Sequence, residues 1–118
     1  MATRKKWFAA DCCIHTNPKV VELAAELKLD IDATVGKLCR LWAWAMLSDN
    51  ESGQIGKLPA SEIAAIMRWN KKPDALLRAL VNHRFLDQTE DGGLELHGWY
   101  EMNGKSAEKS RRDRERKM

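Results

Sequence analysis

Between Ser61 and Trp99 the hydrophobic pattern changes period once, from helical to alternating, and this limits the fold more than any other feature. Ile63, Ala64 and Met67 fall on one side of a short helix, with Ser61 as its candidate N-cap. Trp69-Asn70-Lys71-Lys72 breaks the pattern, and Pro73 opens a second helix, where its missing N–H costs nothing. Leu76, Leu77, Leu80 and Val81 form the core stripe of that helix, and Asp74, Arg78 and Asn82 form the opposite stripe. Phe85 to Thr89 and Leu94 to His97 then alternate with period two, on either side of Glu90-Asp91-Gly92-Gly93, whose glycines can take positive φ. Two short helices, a tight turn and a hairpin follow one another in the order of a winged helix-turn-helix.

The preceding segment supplies support for that unit. Asn17-Pro18 reads as a helix start, and Val20, Leu23, Ala24 and Leu27 recur at helical spacing as far as about Lys28. Asp30 or Asp32 caps a longer helix that runs to about Ser48. Val35, Leu38, Cys39, Trp42, Ala45 and Met46 make its apolar face, with Lys37, Arg40 and Ser48 opposite. The width of that face makes it the central buried helix. Trp44 lies nearer the polar side, where it covers the edge of the core or meets a partner. Ser48 to Gly53 is a loop by composition, and Gln54 to Leu58 is a short strand able to pair beside the hairpin. The fold expected is therefore mainly α with a small β-hairpin: a winged helix-turn-helix with an extra N-terminal helix. Residues 1–16 form an irregular lead in which Trp7, Phe8 and Ile14 tuck against the body. Residues 17–104 are the domain, closed by Trp99 and Tyr100. Residues 105–118 are a basic tail or linker with no apolar face, expected as a solvated helix or a disordered segment. Its lack of apolar closure suggests one domain of a longer chain.

A chain of 118 residues accommodates one small domain, and five Trp add large buried area to a core of that size. No apolar run approaches the roughly 20 residues of a membrane span, and the first residues lack the apolar stretch of a secretory signal. A cytoplasmic location is expected. Cys12, Cys13 and Cys39 are odd in number and lack zinc spacing, so they read as reduced thiols, with Cys39 packed as a small hydrophobe. His15 beside the cysteine pair is the nearest thing to a metal signal; no metal or cofactor is expected.

Net charge is +3, and it is unevenly placed. Lys105 to Met118 holds seven Lys or Arg against three Asp or Glu, Arg4 to Lys6 add three positive charges, and Trp7 to Gly104 holds ten basic against fourteen acidic residues. Within Ser61 to Arg84 the sign reverses: Arg68, Lys71, Lys72, Arg78 and Arg84 face only Glu62 and Asp74. Base edges in a major groove are read by polar and basic side chains on the outer face of a helix. Arg78 and Asn82 suit that role; Lys71 and Lys72 suit phosphate at the helix N-terminus, and Arg68 and Arg84 extend the basic footprint. In the tail, Lys109, Arg111, Arg112, Arg114, Arg116 and Lys117 are candidates for nonspecific nucleic-acid contact. The same charges can equally be a solvated face and a linker. Glu90, Asp91 and Glu95 make the wing a poor phosphate binder, which favours a protein-docking rival. His15, His83 and His97 are scattered, and no nucleophile, base and orienter assemble, so an enzyme is not expected.

Val35-Gly-Lys-Leu-Cys-Arg-Leu-Trp-Ala-Trp-Ala, Gly53-Gln-Ile, Glu62-Ile-Ala, Leu76-Leu-Arg-Ala-Leu, Phe85-Leu-Asp and Leu94-Glu-Leu-His-Gly-Trp-Tyr-Glu with a basic tail occur in fixed order. In that order and spacing the chain resembles the N-terminal winged-helix domain of phage and prophage replication initiation proteins, the DnaD-like replisome organisers, from about Asn17 onward. The resemblance implies DNA binding at an origin or fork in the bacterial host cytoplasm. It also implies self-association, and recruitment of a helicase loader that usually involves a second domain, for which this chain has no counterpart. Duplex DNA, possible single-stranded DNA, a homo-oligomer and a replication protein are thus the expected partners. The rivals are a protein-docking or oligomerisation module using Trp44, the first helix or the wing, and a transcriptional regulator of the same fold.

Overall fold

The structure is a computed structural model and describes residues 6–48 and 50–116. Helix α1 spans Pro18–Leu27 and α2 spans Ile31–Leu47. Strand β1 (Gln54–Gly56) leads to α3 (Ala60–Met67) and α4 (Pro73–Asn82), and the hairpin is β2 (Leu86–Gln88) with β3 (Leu94–Leu96). A single π-turn, Tyr100–Gly104, runs into α5, Lys105–Arg116. The sheet is antiparallel with β3 in the middle. From α2 to β3 this is the winged-helix order, with α1 as the additional N-terminal helix.

The ends of the helices follow from the sequence. Asn17 Oδ1 accepts from Lys19 N at 2.9 Å with Pro18 at the first helical position, and Asp30 rather than Asp32 caps α2, accepting from Ala33 N at 2.6 Å. At α3 the expectation fails: Pro59 holds the N-cap position, no side chain caps it, and Ser61 lies inside the first turn. Proline already fixes φ there, so the turn closes without a hydroxyl.

The core joins all three layers. Val20, Leu23, Ala24 and Leu27 of α1 and Ile63, Ala64 and Met67 of α3 are buried as their spacing predicts. On α4 the stripe is rotated, because Ala79 is buried while Leu77 and Val81 are half-buried. On α2 it is rotated too, since Thr34, Leu38 and Leu41 are fully enclosed and Cys39 and Trp42 are half-buried. Thr34 Oγ1 donates back to the Asp30 carbonyl at 2.9 Å, which satisfies the hydroxyl inside the core. Leu86, Leu94 and Leu96 cover the core from the sheet, and Trp99 closes it, donating Nε1–H to the Asn50 carbonyl at 2.7 Å. Gly53, at φ +88°, permits this, since a Cβ there would come within 2.8 Å of the Trp99 Cβ.

Both ends differ from expectation. Phe8 and Ile14 pack against the core and Phe8 meets Trp42 edge-on, but Trp7 is 67% exposed. Tyr100 is likewise 47% exposed, so Trp99 alone closes the domain. The lead is tied down by Asn103, a buried side chain whose Oδ1 accepts from Ala9 N. The tail segment does have something to bury: Ala107 is fully enclosed, and Arg111 Nε donates to Glu51 Oε1.

Candidate nucleic-acid interface

The outer stripe of α4 faces away from the core, with Asp74, Arg78 and Asn82 all exposed. Arg78 and Asn82 make no side-chain hydrogen bond or ion pair among the described residues. Lys71 and Lys72 are exposed at the start of the helix, where no side chain caps the first turn. The helix dipole favours an anion there, and Asp74 in the first turn already supplies one negative charge.

A fourth cation, Lys28, joins this group from an element that sequence reading treated as support. It ends α1, and with Lys71, Lys72 and Arg78 it lines one groove of about 370 Å³ together with Leu27, Trp69 and Ala75. Glu26 is the single acid of that groove, and His83 Nε2 lies 2.8 Å from its Oε1. Two further contacts fix α1 against α4 and the strand that follows. Lys19 Nζ donates to the Arg84 carbonyl at 2.9 Å and stands 4.8 Å from the Phe85 ring centroid. Burial lowers the pKa of Lys19, Asp87 opposes that shift, and Arg84 adds to it. No sequence signal on α1 marks Lys28; only the packing of α1 on α4 brings it there.

Two predicted contacts do not join the cluster. Arg84 is exposed but lines a different groove, where its left-handed backbone (φ +60°) turns the chain from α4 into β2. Arg68 ends α3, also left-handed at φ +58°, and its carbonyl accepts from Lys37 Nζ at 2.8 Å. Its side chain is exposed beside the turn.

The tail carries its charge in pairs. Arg111 bonds Glu51 and Glu115, and its proton is held more tightly for that reason; Arg112 pairs with Glu108 and Arg116 with Asp113 at 3.9 Å. Arg114 also has an interaction, Lys109 is exposed, and Lys117 lies outside the described residues.

The wing is acidic on its solvent face. Asp87 stands directly opposite Glu95 across the β2–β3 ladder, and His97 Nδ1 lies 2.7 Å from Asp87 Oδ2. At the tip, Asp91 Oδ1 accepts from the Thr89 hydroxyl and from Gly93 N at 3.1 Å, and these bonds hold its carboxyl below the usual range. The Asp91 charge therefore builds the turn.

Cys12 and Cys13 are exposed and Cys39 is half-buried, with burial raising its thiol pKa. His15 Nε2 lies 3.8 Å from Asp32 Oδ1. Trp44 is half-buried on the edge of the core. No helix among the described residues is long and apolar enough to cross a membrane. The chain matches no protein-family model, no curated protein and no solved structure.

Proposed function

We propose that this winged helix binds duplex DNA through the outer stripe of α4, in the initiation of phage-type replication in a bacterial cytoplasm. One observation carries the reading: Lys28, Lys71, Lys72 and Arg78 gather on one groove beside an exposed Asn82, with Glu26 the one acid among the residues that line it and Asp74 on the neighbouring stripe. Like charges gathered this way repel one another, and a polyanion relieves that repulsion. Arg78 and Asn82 are of the types that bond guanine and adenine edges, and the lysines meet phosphate. The acidic wing stays off the backbone. The place in replication, and a helicase loader as partner, follow from the resemblance alone.

The test is duplex binding by fluorescence anisotropy. Arg78→Ala is expected to weaken a preferred site by about 1–3 kcal/mol while nonspecific duplex changes less. Equal affinity of Arg78→Ala and the parent for both duplexes contradicts the reading.

A protein-docking role is favoured by a different observation. Tyr100 and Met102, 47% and 51% exposed, line a groove of about 940 Å³ at the base of the wing, where Asp11, Asp87, Glu95 and Glu101 outnumber Lys19 and Arg84. A photo-crosslinker at Met102 that captures neither a second copy nor any other protein counts against it.

A further inference from the structure

We propose that the groove between α1 and α4 holds one unpaired nucleotide, its base against Trp69 and its phosphate among Lys28, Lys72 and Arg78. The assignment rests on the reading of this face as a nucleic-acid surface, and it names a different ligand chemistry from a duplex backbone. A phosphate chain needs cations alone. This groove is lined by four cations, by the apolar Leu27, Trp69 and Ala75, and by one acid, Glu26. That combination suits an anion with a flat apolar part, and in a paired duplex the base faces are hidden in the stack. Its volume, about 370 Å³, is at the small end of the range for small-ligand sites and suits one nucleotide.

Trp69 is held ready for such a role. Its indole Nε1–H donates to the Lys72 carbonyl at 3.0 Å, and its backbone N–H donates to the Ala64 carbonyl at 2.8 Å. The second bond fixes the backbone and the first fixes the ring before a ligand arrives, so little ordering cost remains at binding. Lys71 Nζ lies 5.8 Å from the ring centroid, a distance at which its attraction to the ring gives way readily to a phosphate. Stacking on an aromatic ring is tolerant of sequence, because every base has a π face. The nucleotide comes either from a single strand or from solution, and both present the same chemistry.

The experiment measures anisotropy of the full chain with a mixed-sequence single strand and with the blunt duplex of the same sequence. Trp69→Leu is expected to weaken the single strand about tenfold and to leave the duplex within about twofold. Lys28→Gly is the second variant. Lys28 sits at φ +58°, where glycine is at ease, so the fold is not weakened and its melting temperature reports that directly. It is expected to weaken the single strand several-fold, and Lys105→Gln, an exposed cation outside the groove, serves as control. Displacement of the strand by dATP at concentrations comparable with the oligonucleotide identifies a free nucleotide as the occupant; no displacement identifies a nucleotide within a strand. Single-strand affinity that ignores both variants, or binding of neither strand nor dATP, overturns the assignment. A chain that binds no duplex yet binds single strand through Trp69 keeps the groove assignment and ends the recognition-helix reading. Duplex binding that needs Arg78, with single-strand binding indifferent to Trp69 and Lys28, does the reverse.

Discussion

Three helices stop on a basic residue in the left-handed conformation: Lys28 after α1, Arg68 after α3 and Arg84 after α4. In each case the next residue, Leu29, Trp69 or Phe85, donates its backbone N–H to the carbonyl five positions back, and its side chain packs on the core. This is a Schellman ending with its usual hydrophobic contact, built without glycine. A non-glycine residue pays about 1 kcal/mol or more for that backbone, while its positive charge is favourable at a helix C-terminus. Arg84→Gly is therefore expected to raise stability by up to about 1 kcal/mol in thermal denaturation, and a clear fall contradicts the strain argument. The dipeptides Lys28-Leu29, Arg68-Trp69 and Arg84-Phe85 could have been read as helix stops, but without glycine they resemble ordinary surface sequence. Arg68 and Arg84 were legible as basic and illegible as caps. A second prediction concerns Asp91, whose hydrogen bonds from Thr89 and Gly93 depress its pKa. A depressed acid contributes stability above its unfolded pKa and loses it as pH falls through the folded one. The Gly93 amide resonance should thus titrate with a midpoint below the ordinary Asp value; a midpoint at or above that value contradicts the assignment.

The helices differed in how plainly they could be read. α1 and α3 have one apolar stripe each, and their buried residues match the spacing. The second half of α2, Leu41 to Leu47, is apolar on every side, so no face stands out and Leu41, fully buried, was passed over. Leu41→Ala should cost about 2–5 kcal/mol in denaturant unfolding, and a cost below about 1 kcal/mol would place it outside the core. In α4, small Ala79 is buried and the larger Leu77 and Val81 are not, which hydrophobicity alone does not reveal. The wing register puts Asp87 opposite Glu95, a like-charge pair that disfavours the hairpin. Glu95→Gln is expected to stabilise the chain by about 0.5 kcal/mol in thermal denaturation, and no gain contradicts the like-charge argument. The tail looked purely solvated because Ala107 is one small residue in a charged run; its burial depends on the π-turn that aims it.

Across the chain, the winged-helix order was legible because it depends on periodicity, and the basic groove was half legible because it depends on packing. Lys71, Lys72 and Arg78 are neighbours on α4 and its turn, so sequence spacing found them. Lys28 is distant in sequence and Arg84 near, yet the structure brings Lys28 to the groove and puts Arg84 in another one. Net charge misled in the tail, where Arg111, Arg112 and Arg116 are matched by acids. Those pairs lessen what the tail offers a phosphate chain, so the groove and α4 should carry most of the duplex affinity. The deciding measurement is the salt dependence of duplex binding for the parent chain and for Lys71→Gln/Lys72→Gln/Arg78→Gln. Phosphate contacts by Lys28, Lys71 and Lys72 predict a log–log slope of about −3 that falls to about −1 in the variant, which keeps Lys28. A slope unchanged by the three substitutions would contradict the proposal that α4 and its groove bind DNA.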